Sequence, residues 1–542
     1  MTDGLRHLAD AAALRVLGQQ DRNPYSPTRG CFDRRFWAWK LVDYPEATFQ
    51  RHVYPLSILY RDSKSRLYQR AEVAEAIADG LRFAVSIQHR NGSFDQAFPY
   101  EQSWGATAFL LQPMLEAFSL AAPALGADAD RVRDGLSRAG TFLAREMERH
   151  GRITNHLAGG ALSLLAAAEA LGRRDLAESG RTLVDDILAS QSSEGWFPEY
   201  GGADPGYQTL CLYYLSEIAR IAPTPAIAAA LDRTLEFLQW FVHPDGTLGG
   251  LYGSRRTRVA YLAGFALLAD RSNVAYAMLE RLAGAAVDGS SVSAGSIDEG
   301  NLPPVFTSVV RAAACAPAAR THTVVLPCDR DEAAADFRDA GLYVRSVAGR
   351  FAVFGAANGG TLTVFDRASR TLIRDDGGYV GKLTDGALIT SQVTRTHAVD
   401  VQPDRVSVTV GFSRMAFATP SPAAFLILRL LNLTLMRSIA VGNIVKRMLA
   451  RHLMAPRAEV GVRLRREVRF GPRGIGVEDR VTNPGGIALR WLRGGRPFNS
   501  IHMASAGYAD GGSLQAALGP ASEIDIERLA REREVVTVTQ IA

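Results

Sequence analysis

Residues 181–197 read RTLVDDILASQSSEGWF, a stretch with helical apolar spacing that closes on a turn of the form polar-x-Gly-x-apolar. The same arrangement recurs on both sides of it: a helix over 68–88 ends at HRNGSF, and a helix over 226–241 ends at HPDGTL. Each turn is followed by another helical stretch. Repeated helix pairs with their turns at one rim predict an incomplete α/α toroid with a central cleft.

The pattern changes after about residue 303. Short runs rich in Val, Thr and Phe follow one another between Gly, Asp, Asn and Pro, as in GLYVRSVAGRFAVFG (341–355) and RVSVTVGF (405–412). These are strand signals at close spacing and indicate an antiparallel β-sandwich. We therefore predict an α+β multidomain chain, with the α/α toroid at residues 1–305 and the β-sandwich at residues 306–542.

One segment of the second half, residues 421–455, interrupts the strand pattern. It is helical in period and strongly apolar, and its charged residues are all basic: Arg429, Arg437, Lys446, Arg447 and Arg451. Two interpretations fit this segment. It forms a helical pair packed on the sandwich, or it is a basic amphipathic element that lies on a membrane surface.

The overall composition excludes several classes of protein. The formal net charge is +5, from 61 basic and 56 acidic residues, and no basic tract with interleaved aromatic residues suggests a nucleic-acid partner. The four cysteines are widely spaced and form no C-x-x-C pair, which argues against a zinc site or a disulfide framework. We predict neither a metal nor a cofactor.

The location of the protein is predicted from its N-terminus and its hydropathy. The first residues lack the pattern of a secretory signal, and no run of about 18 uncharged apolar residues suggests a spanning helix. The sparse cysteines fit a reducing compartment. We predict a cytoplasmic protein, and peripheral contact with the inner membrane through 421–455 stays open.

Three clusters in the helical part contain residue types suited to chemistry. They are FPYEQSW (98–104), TNHLAGG (154–160) and EYGGADPGYQ (199–208). Each lies where a turn leads into a helix, so all three can face one rim. Backbone N–H groups at helix starts favour an anion.

Each of these residues alone also has an ordinary structural explanation. Asn155 is a preferred residue type for a helix N-cap. His156 alone is more often a packed or exposed histidine than a catalyst, and Tyr207 alone is more often a core or rim aromatic. Their occurrence together at corresponding turns is what indicates a site.

The spacing of these residues resembles a known family. Asn155 and His156 precede a helix rich in Ala, Gly and Leu, and an Asp-x-Gly-Tyr motif ending at Tyr207 follows roughly fifty residues later. This pattern is similar to that of the heparinase II/III-type polysaccharide lyases and their alginate-lyase relatives, a superfamily that includes uronyl C5-epimerases. The resemblance covers most of the chain and implies an α/α toroid followed by a β-sandwich.

The resemblance also implies a reaction and roles for the site residues. β-Elimination of a 4-linked uronic acid begins with removal of the C5 proton next to a carboxylate, which must be neutralised. Asn155 would help to neutralise it, and His156 would be the base or a second neutralising group. Tyr207 would be the acid that protonates the leaving O4, or in a syn elimination both base and acid.

Four further residues are candidates for substrate binding. Gln102 would contact the carboxylate, and Trp104 lies in the same cluster. Arg255 and Arg256 are candidates for binding another acidic group, because an arginine can hold a carboxylate through two hydrogen bonds. The alternative for both arginines is an ordinary surface position in a loop.

One departure from the family pattern concerns the sandwich. Such lyases have a Gly-His-x-His-x-Asp motif that supplies a histidine to the cleft, and the corresponding stretch 357–365 (ANGGTLTVF) contains none. The DDGGY stretch at 375–379 resembles the turn that follows the motif. Three outcomes stay open: His397 or His502 serves instead, the site works without this histidine, or the original reaction has been lost.

The leading hypothesis is therefore a lyase that acts on an acidic polysaccharide or oligosaccharide. A C5-epimerase acting on a lipid-linked glycan in exopolysaccharide biosynthesis uses the same proton abstraction. An inverting glycoside hydrolase would need two carboxylates about 6.5–9.5 Å apart, from among Glu101, Glu199 and Asp204. A non-catalytic glycan-binding protein would keep the arginines and aromatic residues alone.

Overall fold

A computed structural model describes residues 1–148, 151–392, 398–415, 421–454, 459–501, 508, 512, 514 and 521–541, with only the backbone of 449–454. The helices of the N-terminal part are α1 Thr2–Gln19, α2 Arg34–Trp37, α3 Val53–Arg61, α4 Ala71–Ser86, α5 Trp104–Leu125, α6 Ala129–Arg145, α7 Thr154–Leu171, α8 Arg174–Ala189, α9 Pro205–Ile221, α10 Pro225–Leu238, α11 Ala263–Leu268, α12 Asn273–Asp288 and α13 Leu302–Cys315. Short 3-10 turns lie at Ala47–His52, Gly126–Asp128, Gln239–Phe241, Pro327–Asp329, Ala356–Asn358 and Leu435–Arg437.

The N-terminal helices form two concentric layers. The inner helices α5, α7, α9, α11 and α13 pack side by side in this order, and α3 packs between α13 and α5. The outer helices α4, α6, α8, α10 and α12 each precede an inner helix in the chain and keep exposed polar faces. This is the α/α toroid that the helix-turn pattern predicts.

The turns that join outer to inner helices share one geometry. In the turn after α8, the Ser192 N–H donates to the Trp196 carbonyl and the Gly195 N–H donates to the Ser192 carbonyl, both at 2.9 Å. Gly195 has φ +96°, and a Cβ there would overlap the Arg233 carbonyl oxygen in α10. Gly92 occupies the same position in its own turn, against α6. Glycine is required because each turn touches the backbone of the next outer helix.

A Gly195→Ala variant should therefore lose roughly 2–4 kcal/mol of stability, because its Cβ adds backbone strain and a clash with the next helix. Scanning calorimetry should show a melting temperature several degrees lower. The control is Gly284→Ala in α12, where no atom lies within 4 Å of the added Cβ. There alanine should leave the melting temperature unchanged or slightly higher. Equal melting temperatures for the two variants would contradict the packing argument.

One helical segment differs from the prediction that no stretch is apolar enough to span a membrane. Trp104–Arg145, containing α5 and α6, is long and apolar enough by length and composition, but 61% of its most apolar window is buried inside the structure. The helix α5 packs against α3, α4 and α7. Its apolar character is that of a core helix.

The second half is an antiparallel β-sandwich. Its strands are β1 Ala333–Phe337, β2 Leu342–Val347, β3 Arg350–Gly355, β4 Thr361–Asp366, β5 Thr371–Asp376, β6 Tyr379–Leu383, β7 Leu388–Thr390, β8 Ala398–Gln402, β9 Arg405–Met415, β10 Glu459–Gly471, β11 Gly474–Thr482, β12 Leu489–Gly494, β13 Ser522–Glu523 and β14 Glu534–Ile541. One sheet has the order β1-β2-β3-β4-β5, and the other has the order β13-β12-β6-β7-β9-β10-β11-β14, with β8 pairing β9. A shared core of buried Val, Leu and Phe side chains joins the two sheets.

The predicted α+β architecture, a toroid followed by a sandwich with a helical insert, is confirmed. The predicted boundary at residue 305 lies inside α13, however, and the helical part continues to Cys315. The first strand begins only at Ala333. The apolar face of α13 packs into the toroid core, which is why the helix continues past the change in sequence pattern.

The segment 421–455 forms two helices, α14 Pro422–Leu433 and α15 Ile439–Met454, which we call the insert. Among the insert side chains that the structure describes, the polar contacts outside the insert are with the toroid, whereas the first interpretation placed the insert on the sandwich. Arg429 donates to Asp43 at 2.9 Å, and Lys446 lies 3.5 Å from Glu101. The insert therefore lies at the rim that also bears the predicted cluster 98–104. A further helix, α16 Ile526–Glu532, precedes β14.

Candidate active site

The first turn of α7 is joined to a buried carboxylate from the next turn of the toroid. The Asn155 amide nitrogen donates to both oxygens of Glu199 at 2.9 Å, and the Asn155 backbone N–H donates to the same side chain at 2.9 Å. The cap residue Ile153 makes no side-chain hydrogen bond, so Glu199 supplies the negative charge that this helix start favours. Asn155 lies inside the helix and is not its cap.

This bond bears on the role expected for Asn155. A carboxylate accepts hydrogen bonds, so the amide nitrogen of Asn155 faces Glu199, and its Oδ1 is buried without a partner among the described residues. At least one N–H of the Asn155 amide is therefore directed at Glu199, and the neutralising role expected for Asn155 stays a prediction. Asn155 also holds Glu199 in place.

Tyr207 and Arg255 are positioned by a single carboxylate. Asp204 caps α9 by accepting from the Tyr207 backbone N–H at 2.9 Å, and it also accepts from the Arg255 backbone N–H at 2.8 Å. The Arg255 guanidinium carbon lies 3.6 Å from the centre of the Tyr207 ring and 5.2 Å from that of Tyr200. The guanidinium also lies 3.4 Å from Glu199. Asn155, Glu199, Arg255 and Tyr207 thus form one contiguous group.

Burial controls the charges in this group. It raises the pKa of Glu199, and Arg255 and Asn155 offset this rise only in part. Burial opposes the charge of Arg255, but Tyr207 and Glu199 hold the pKa of its guanidinium above the ordinary value. Arg255 therefore stays cationic beside a carboxyl group that takes up a proton more readily than usual.

A histidine–carboxylate pair lies next to this group. His156 Nδ1 is 3.0 Å from both oxygens of Glu148. In a neutral ring the proton is then on Nδ1, and Nε2 is left as an acceptor. Burial raises the pKa of Tyr200 to about 12, while Arg255 lowers it and Glu148 raises it. Tyr200 therefore interacts electrostatically with Arg255 on one side and with the His156–Glu148 pair on the other.

Three features around His156 were missed from the sequence. Glu148 lies in no motif, and Gly105 is needed because a Cβ there would lie 2.9 Å from His156 Nδ1. The third is Arg51, a buried residue that donates to the Tyr214 hydroxyl at 3.0 Å. Its guanidinium stands 4.8 Å from the centre of the Phe109 ring.

Arg51 has no carboxylate partner among the residues that the structure describes. The Phe109 ring over which it lies also meets the His156 ring edge-on, with centroids 4.9 Å apart. A buried guanidinium without a counter-charge is costly unless an anion comes to it. Nothing in its local sequence, FQRHVYP, distinguishes this arginine from a surface one.

Gln102 and Trp104 lie apart from the group around Tyr207. Trp104 is buried, with its indole N–H 3.3 Å from the Leu143 carbonyl, so it is a core residue. The Gln102 side chain donates to the Arg437 carbonyl of the insert at 3.0 Å. Both residues line a small pocket with Glu148 and α15, beside the His156 pair.

Arg256 points away from Arg255, toward the sandwich. It donates to the side chain of Asn499 and to the Gln392 carbonyl. Burial lowers the pKa of its guanidinium to about 9. Arg256 is therefore an interdomain residue, and the structure does not bring it together with Tyr207.

The sandwich stretch without a histidine anchors the loop that carries Arg255. Asn358 donates to the Gly253 carbonyl at 2.9 Å, and the buried pair Arg258–Asp375 joins the same loop to β5 at 2.9 Å. The two alternative histidines, His397 and His502, lie outside the described residues. In the described part of the structure, this stretch holds the Arg255 loop in place and does not supply an acid or a base.

The carboxylates proposed for a hydrolase are all engaged. Glu101 accepts from the backbone N–H groups of Gln96 and Ala97 and pairs with Lys446. Glu199 and Asp204 are buried in the contacts given above. All three carboxyl groups are committed to these structural contacts, which argues against their use as the acid and base of inverting hydrolysis.

Comparison with known proteins gives one family match and several similar folds. Residues 46–286 match the family model described as the ulvan lyase N-terminal domain. No curated protein matches the chain. The chondroitin AC lyase of Streptomyces coelicolor A3 is 13% identical with a TM-score of 0.56, and the match covers 91% of this chain and 67% of that one.

A xanthan lyase of Paenibacillus also has a similar fold. It is 12% identical with a TM-score of 0.51, and the match covers 90% of this chain but only 46% of the xanthan lyase. The resemblance predicted from the short motifs is thereby confirmed. This chain shares the toroid-and-sandwich fold of these polysaccharide lyases, and its residues 46–286 match the model of the ulvan lyase N-terminal domain.

Proposed function

We propose that this protein is a lyase that cleaves a uronic-acid-containing polysaccharide by β-elimination. The observation that carries the proposal is the Arg255 guanidinium on the face of Tyr207, 3.6 Å from the ring centre, beside the His156–Glu148 pair. A cation at this distance favours negative charge on the phenol oxygen, which is what an acid that gives up its proton requires.

The proton transfers follow from the hydrogen bonds. Glu148 holds the proton of His156 on Nδ1, so Nε2 takes the C5 proton of the sugar. The electron pair of the broken C5–H bond forms the C4=C5 double bond as the C4–O4 bond breaks. Tyr207 gives its proton to O4, and Arg255 stabilises the phenolate that results.

We assign the substrate carboxylate to a cation, because the Asn155 amide already donates to Glu199. Arg51 fits this role because it is buried on the Phe109 ring, next to His156, without a carboxylate partner among the described residues. Its interaction with the acid would strengthen as charge moves onto the carboxylate during C5 deprotonation. Glu199 and Asn155 then act as positioning residues for Arg255.

The test is an incubation with ulvan, chondroitin sulphate, heparan sulphate and alginate in heavy water. We expect an ultraviolet absorbance from the unsaturated product with at least one polymer, because elimination leaves a C4=C5 bond conjugated with the carboxylate. Deuterium at C5 without absorbance would identify an epimerase and contradict the lyase. If neither signal appeared with any of the four polymers, the proton-abstraction proposal would be overturned, and binding without reaction would favour a glycan-binding protein.

A further inference from the structure

The outer side of the insert is an apolar surface. Its large side chains are between 53% and 66% exposed, at Leu426, Ile427, Leu430, Leu433, Leu435 and Met448. In the helix α14, Asn432 is the buried residue, so this helix does not have the buried apolar stripe of a core element. A contiguous exposed apolar patch on a folded protein marks an interaction surface.

A loop of the toroid extends this surface. Arg429 pairs with Asp43 and lies over the Tyr44 ring, 5.4 Å from its centre, which fixes the loop beside α14. In the same loop Trp39 is 66% exposed and Leu41 is 86% exposed. We call Trp39, Leu41 and the apolar residues of the insert the docking face.

The basic side chains of the insert lie mainly on the side that faces the toroid. Three basic side chains of the insert are directed toward the toroid: Arg429 toward Asp43, Lys446 toward Glu101, and Arg437 toward the Tyr100 ring. The outer side of the insert is therefore apolar.

Two basic residues remain at the edges of the docking face. Lys40 and Arg447 are exposed and have no carboxylate partner among the described residues, and 421–455 contains no Asp or Glu. An apolar face with an exposed tryptophan, bordered by cations, matches the interfacial region of an anionic bilayer.

We propose that the docking face binds the protein peripherally to an anionic lipid surface. The other side of the insert lines the pocket with Gln102 and Glu148, so the membrane would lie beside the entrance to the site. This geometry suits a glycan held at the membrane. The proposal concerns binding only and stands whether or not the lyase reaction is correct.

The test is flotation of the full-length protein with vesicles of phosphatidylcholine, with and without phosphatidylglycerol. We expect binding to the anionic vesicles, weakened by salt, and a loss of about tenfold or more in the Leu426→Glu/Leu430→Glu variant because charge at these positions opposes insertion. The control is Leu14→Glu/Val538→Glu, at residues that are 58% and 73% exposed elsewhere on the surface. This variant should bind as the wild type does.

Three results would overturn the proposal. The wild type binds neither kind of vesicle, or the Leu426→Glu/Leu430→Glu variant binds as well as the wild type. In the third result, the wild type does not bind vesicles but forms a dimer in light scattering, and the Leu426→Glu/Leu430→Glu variant is a monomer. The docking face would then be an interface between two copies of the protein. A melting curve for each variant separates a loss of binding from a loss of fold.

Discussion

A Tyr207→Phe variant should lose about 10³-fold in kcat, close to 4 kcal/mol of transition-state stabilisation, while KM changes little. The phenylalanine ring keeps the packing against Arg255 and the N-terminal turn of α9, but it has no proton to give to O4. The measurement is the rate of absorbance increase with the best polymer from the panel. The fold should be retained because the Asp204 cap binds the backbone N–H of residue 207, and not its side chain.

The matched control for this variant is Tyr200→Phe. Tyr200 also lies beside Arg255, but its ring centre is 5.2 Å from the guanidinium carbon, against 3.6 Å for Tyr207. Burial raises the pKa of Tyr200 to about 12, so its hydroxyl gives up a proton less readily than that of an ordinary tyrosine. Removal of its hydroxyl should cost less than tenfold in kcat. If the two variants lost the same activity, the assignment of the acid to Tyr207 would be wrong.

The helical fold could be predicted because its signals are local. Ser192 donates to the Trp196 carbonyl and accepts from the Gly195 N–H, so five consecutive residues specify the turn. The repetition of this turn specifies the toroid. The position of the insert could not be predicted in this way. Its contacts, such as Arg429 with Asp43, join residues that are 386 positions apart.

The site was predictable to the extent that its residues lie at helix starts. Asn155 and Tyr207 follow turns in short motifs, and Arg255 lies near Gly253, the glycine of its own turn. Their partners come from elsewhere in the chain and carry no motif, as Glu148 and Arg51 show. The contact of Asn155 with Glu199 could not be predicted for the same reason, because Glu199 lies 44 residues away in the chain.

A His156→Gln variant should lose 10²- to 10⁴-fold in kcat, the usual contribution of a general base. Glutamine can still donate to Glu148, but it has no basic nitrogen for the C5 proton. This variant should also lose deuterium incorporation at C5. Tyr207→Phe should retain some incorporation, because the anion left when His156 removes the C5 proton takes a deuteron back at C5 when O4 cannot be expelled.

The comparison of exchange in the two variants decides which residue is the base. If His156→Gln kept C5 exchange while Tyr207→Phe lost it, Tyr207 would be both base and acid, and the assignment to His156 would fail. The control is His89→Gln, because His89 also pairs with a carboxylate, Asp95, at 2.8 Å and its side chain is 22% exposed, close to the 17% of His156. It lies outside the group around Tyr207. The His89–Asp95 pair lies away from the reacting atoms, so its loss should not affect proton transfer. His89→Gln should therefore keep kcat within about twofold of the wild type.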